Sequence, residues 1–158
     1  MALNEALLKR LIETPGVPGR EELQREIARE ELSSLTDEVR TDSLGSVIGT
    51  KKGRDDVRVM VAAHMDEIGF LVKHIDDEGF LRLQTLGGHD PANMVSQRVL
   101  VVTADGGTLR GALQPARKPP HLQRAGGEEP KLPKADEFFV DLGMPVEQVK
   151  EKVRVGDY

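Results

Sequence analysis

The run Val57-Arg58-Val59-Met60-Val61-Ala62-Ala63 limits what this chain can fold into more than any other stretch, because it offers apolar side chains to both faces of a strand. Strands of that kind are buried on both sides, which requires a sheet covered by helices. The preceding residues agree. Leu3, Leu7, Leu8, Leu11 and Ile12 recur at helical spacing and stop at Thr14-Pro15-Gly16-Val17-Pro18-Gly19. Leu23, Ile27, Leu32 and Leu35 line a second amphipathic helix, whose acidic opening at Glu21-Glu22 suits the positive end of a helix dipole. Val39 and then Leu44 to Gly49 mark one or two further strands. The basic and acidic stretch Lys51-Lys52-Gly53-Arg54-Asp55-Asp56 reads as a solvated turn. Residues 1 to about 66 are therefore expected to open an α/β layer, with 57–63 as its central strand.

From residue 67 the pattern changes. Gly69 to Val72 and Phe80 to Leu83 flank Asp76-Asp77-Glu78-Gly79, while Val99 to Val102 and Leu109 to Leu113 flank Asp105-Gly106-Gly107, which predicts two hairpins. Glu137 to Asp141 resumes a strand, and Pro145 opens a short helix through Lys152. Short strands with glycine-rich turns and no long helix predict a small antiparallel β-barrel-like domain over 67–158. Residues 114–134 hold five of the nine prolines and read as a long irregular loop. The fold class expected for the whole is α/β, the opening of a helix-covered sheet followed by a small antiparallel barrel-like domain.

Composition removes several classes of function. There is no cysteine, so disulfides and thiolate metal sites are excluded, and any metal must be held by His and carboxylates. The net charge of −5 gives no attraction to nucleic acid or an anionic membrane, and neither is expected as a partner. The chain has no Trp and a single Tyr, too little for stacking platforms on single-stranded nucleic acid. No basic stretch followed by an apolar one opens the sequence, and the expected location is cytoplasmic.

The apolar run ends in His64-Met65-Asp66-Glu67-Ile68. Strand ends are where open α/β sheets assemble their sites, and the i, i+2 spacing lets the imidazole and a carboxylate leave one side of the chain. A histidine ligand works best when an acceptor holds its second nitrogen, the role Asp66 would play for His64. Spacing alone leaves open a strand-end histidine satisfied by hydrogen bonding.

Ala63-His64-Met65-Asp66-Glu67-Ile68-Gly69-Phe70 resembles the first metal motif of the cytosolic metalloaminopeptidases that include the tetrahedral aminopeptidases, glutamyl aminopeptidase and endoglucanase-M-like proteins. Thr14 to Gly19 with Glu21-Glu22, Thr41 to Ser46, Gly87-Gly88-His89-Asp90, Ser96 to Val99, Lys118 to Leu122 and Val153 to Asp157 resemble other signatures of that family, in the same order. The resemblance implies a hydrolase that removes N-terminal residues from peptides with two divalent ions, zinc or cobalt. It assigns His64 as a metal ligand and Asp66 as the carboxylate that orients it. It makes residues 1–66 the first part of the catalytic domain and 67–158 an inserted domain associated with oligomerisation, so a homo-oligomer is expected.

The family's bridging aspartate, its glutamate pair and its remaining ligands follow the segment that matches Val153 to Asp157. Two readings stand at this point: an aminopeptidase of which this is the first part, or a truncated, non-catalytic relative acting as a self-associating or partner-binding module. In either case the faces of residues 1–66 are expected to be covered by subunit contacts or partly disordered. Glu128-Glu129 lies in the proline-rich loop and does not match the family's glutamate pair. His121 receives no role, His89 stands where relatives carry an aromatic residue, and His74 is expected on the surface. Gly87-Gly88 and Gly106-Gly107 precede neither a helix nor a Lys-Ser/Thr pair, so they read as turns rather than phosphate loops.

Overall fold

Two compact units, Met1–Glu67 and Ile68–Tyr158, divide the computed structural model, which describes residues 3–116 and 133–158. The mixed α/β class expected from the sequence is what the structure shows.

In the first unit α1 (Glu5–Glu13) starts at Asn4, whose side chain accepts the Leu7 amide, and α2 (Glu22–Leu35) starts at Glu21. Glu21 has no capping bond to its own helix; its carboxylate accepts the Gly19 amide instead and tightens the preceding turn. β1 (Glu38–Thr41) and β2 (Val47–Thr50) form an antiparallel hairpin with Val39 opposite Gly49, and α2 packs on it. The hairpin turn is closed by Asp42, whose carboxylate accepts the Leu44 and Ser46 amides. Those amides, Ser46 first, hold the Asp42 carboxyl below the usual carboxylate range.

The expected central strand is not formed. Residues 57–63 lie outside any strand, and Val57, Val59, Met60 and Val61 are exposed, Val61 at 92%. A strand needs a neighbour to complete its ladder, and among the described residues this run has none. The solvated turn expected over 51–56 leads into no strand.

The second unit is built on one curled antiparallel sheet of order β3-β4-β7-β6-β5. Its strands are β3 (Gly69–Ile75), β4 (Leu81–Leu86), β5 (Gln97–Val102), β6 (Thr108–Pro115) and β7 (Phe138–Asp141). Both expected hairpins are present, β3–β4 and β5–β6, as are β7 and the final helix, α4 (Val146–Lys152), which Pro145 caps. The sequence reading did not anticipate α3 (Pro91–Met94), capped by Asp90 and contributing Met94 to the core. Period-two alternation sets the core: Leu81, Leu83, Leu113, Phe138 and Val140 point inward with Val72, Val101, Val149 and Val153. Val140 stands opposite both Leu81 and Leu113, so it lies at the centre of the sheet. Gly111 is required there because a Cβ would overlap Val140.

Residues 156–158 close the sheet on itself. The Gly156 amide donates to the Val72 carbonyl, and the Asp157 carbonyl accepts the Val72 amide at 2.7 Å, all on the β3 edge. Tyr158 and Val102 exchange both backbone bonds on the β5 edge. One short segment thus occupies both edges, which satisfies backbone groups that would otherwise template association.

Candidate metal-ligand corner

His64 and Asp66 are brought together in the first unit, on a segment without regular structure. The His64 Nδ1 lies 3.0 Å from the Asp66 carbonyl oxygen and 3.3 Å from Asp66 Oδ1. Both partners are acceptors, so these contacts put the proton on Nδ1. In the neutral ring that leaves the Nε2 lone pair outward, on a side chain 85% exposed. An imidazole oriented in this way can donate a lone pair to a cation.

Among the described residues no group of three or more His, Cys, Asp or Glu side chains comes together to hold a metal ion. His64 fits one ligand position, and a stable ion of this type needs several. These residues alone therefore do not complete a metal centre.

Glu67 fixes the end of the corner, its amide donating to the Gly16 carbonyl at 2.8 Å. Desolvation raises the Glu67 carboxyl, opposed in part by the Gly16 backbone. Gln24 holds the same loop from the other side, donating from Nε2 to the carbonyls of Leu11 at 2.8 Å and Thr14 at 2.5 Å. The sequence reading missed Gln24, whose only signal is a polar residue between Leu23 and Ile27.

The other histidines lie away from this corner in sequence and role. His89 belongs to the second unit, where Nε2 reaches the Gly69 and Leu86 carbonyls and the ring stacks on Phe70 at 4.4 Å. It therefore keeps the stacking duty of an aromatic residue and adds a clasp across the paired ends of β3 and β4. His74 is exposed as expected, and Gly87 and Gly106 occupy turns with positive φ. His121, Glu128-Glu129 and most of the 114–134 loop lie outside the described residues.

No helix among the described residues is long and apolar enough to cross a membrane. The family model for M42 glutamyl aminopeptidase matches residues 45–158. The chain is 38% identical over 155 residues to the lysyl aminopeptidase of Pyrococcus furiosus, covering 95% of this chain and 43% of that protein. It is similar in structure to an aminopeptidase from the archaeon Desulfurococcus kamchatkensis, with a TM-score of 0.86 at 39% identity over 96% of this chain and 41% of that one. A Pyrococcus horikoshii TET1 peptidase, described as assembling into a tetrahedron or a large octahedral shell, matches at a TM-score of 0.81 and 32% identity over 97% of this chain and 44% of that one. The chain thus spans less than half the length of these relatives, and it belongs to the M42 glutamyl aminopeptidase family.

Proposed function

We propose that this chain is the first part of a metal-dependent aminopeptidase, a hydrolase releasing N-terminal residues from peptides. Its own contribution to the centre is His64 as a ligand through Nε2, with Asp66 holding Nδ1. The observation that carries the reading is that pair, since both Nδ1 contacts go to acceptors and leave Nε2 available. Divalent ions such as zinc or cobalt, held by His64 with ligands from outside these residues, supply the Lewis acidity that activates water in such centres. Residues 1–66 are read as the opening of the catalytic domain and 67–158 as the inserted domain. The assembly described for the Pyrococcus horikoshii TET1 peptidase supports a homo-oligomer, and a cytoplasmic location belongs to the same reading.

In the protein containing this segment, His64→Ala is expected to abolish stoichiometric divalent-ion binding and hydrolysis of leucyl, glutamyl or lysyl p-nitroanilide. Undiminished turnover in that variant would overturn the assignment. A second reading, a non-catalytic self-associating module, is supported by the closed core of residues 68–158. It predicts a defined oligomer of this chain, measurable by sedimentation, and no stoichiometric metal in the protein containing this segment.

A further inference from the structure

From Gly53 to Asp66 no backbone amide hydrogen-bonds to another backbone group among the described residues. The Glu67 amide is the first fixed point after this stretch, and its acceptor is the Gly16 carbonyl. The placement of the His64–Asp66 corner is therefore set by where the Gly16 loop stands. That loop is held in turn by Gln24, which is 5% exposed and spends both amide hydrogens on the Leu11 and Thr14 carbonyls around the end of α1. These are carbonyls that a helix terminus leaves without an intrahelical partner.

Gly16 and Gln24 also meet directly. A Cβ at residue 16 would stand 2.5 Å from Gln24 Cγ and 3.4 Å from its Cβ. Residue 16 does not have a positive φ, so glycine is required here by space rather than by backbone conformation. Gln24 cannot swing aside without abandoning two carbonyls, so a larger residue at 16 must displace the loop and the Gly16 carbonyl with it.

We propose that Gly16 and Gln24 are positioning residues for the His64–Asp66 pair, acting through the Gly16 carbonyl and the Glu67 amide; the inference rests on reading His64 as a ligand. Gly16 keeps the loop flush against Gln24, and Gln24 fixes the loop to α1. Together they set where the His64 Nε2 is presented.

The test uses NMR on this chain at about pH 8, with the His64 ring and the Glu67 amide as readouts, so no metal is needed. In the wild type, the His64 ring is expected as the Nδ1–H tautomer, and the Glu67 amide as protected. Gly16→Ala is expected to speed Glu67 amide exchange by about tenfold or more and to move the His64 ring toward the mixed tautomers of free histidine. The Ile27 amide in α2, unchanged, shows that the first unit is still folded. Gln24→Ala removes the atom in the way, so Gly16→Ala is expected to cause a smaller change in that background than alone. Gln24→Met keeps the volume but loses both donors, and is expected to loosen the Glu67 amide without any change at residue 16; it serves as the test if Gly16→Ala does not fold. An unmoved His64 ring in variants that have lost Glu67 protection overturns the positioning role. An Nε2–H tautomer already in the wild type overturns the ligand reading of His64 while leaving the Gly16–Glu67 coupling to be read from amide exchange.

Discussion

The two units use apolar residues in opposite ways. Residues 68–158 bury theirs: Val72, Leu81, Leu113, Phe138, Val140 and Val149 form one cluster, and the edges of the sheet are bridged by residues 156–158. Among the described residues of the first unit only Val17 and Ile27 of the apolar side chains are buried, while Ile12, Leu35, Leu44 and the 57–61 run stand in solvent. A layer with one uncovered apolar face is half of a fold, because sheets and amphipathic helices become stable by burying that face against another layer. The second unit completes its own core. The first is a frame that holds a corner, and its remaining apolar surface calls for another layer.

The largest effect expected is at the centre of the complete core. Phe138 is fully buried, so Phe138→Ala is expected to cost about 3–5 kcal/mol, measured by denaturant unfolding with amide exchange as the local probe. Protection should fall throughout β3 to β7 while the Gly16–Glu67 contact persists. Simultaneous loss in both units would break the comparison by showing that they unfold as one body. Gly111→Ala sharpens the same point, with an expected cost of about 1–3 kcal/mol as the new methyl meets Val140.

A smaller effect is expected from pH. Partial desolvation pushes the Asp76 carboxyl up, but the Phe80 amide, the Arg82 guanidinium and the Glu78 amide outweigh it and hold the group below its ordinary value. Arg82 donates to Asp76 Oδ2 from Nε at 3.1 Å and from Nη2 at 2.7 Å, and its guanidinium lies over the Phe139 ring. With the folded pKa depressed, the stabilisation is fully present above the unfolded value of about 3.9 and is lost as pH falls through the folded one. Asp76→Asn is expected to cost about 1 kcal/mol near neutral pH and to flatten the acid limb of the second unit's stability curve. An unchanged acid limb would show that the Asp76–Arg82 pair does not hold the β3–β4 turn.

The sequence was most legible where structure is decided locally. Alternation around Asp76 to Gly79 and Asp105 to Gly107 located both hairpins, and the Pro145 opening located α4, because turn chemistry and period-two burial are written in neighbouring residues. The pairing of His64 with Asp66 was legible for the same reason, the two being only two residues apart. The Gln24–Gly16–Glu67 contacts were not, since they join three distant segments and no local pattern encodes their meeting. Residues 57–63 mark the opposite failure. Their apolar character predicts a strand that the structure does not form, because a strand is a property of two segments side by side and nothing among the described residues pairs with this run.

That reading gives the smallest expected effect and the most direct test of how the two units differ. Val61 is 92% exposed, so Val61→Ser in this chain is expected to change stability by no more than about 0.5 kcal/mol. In a protein whose sheet is completed around this run, the same substitution removes a buried aliphatic side chain and leaves a hydroxyl to be satisfied, with an expected cost of about 2 kcal/mol or more. Denaturant midpoints for Val61→Ser in both contexts measure what the covering layer contributes. A full-sized penalty in this chain alone would show that residues 57–63 are already covered, and the contrast between the two units would then be one of degree.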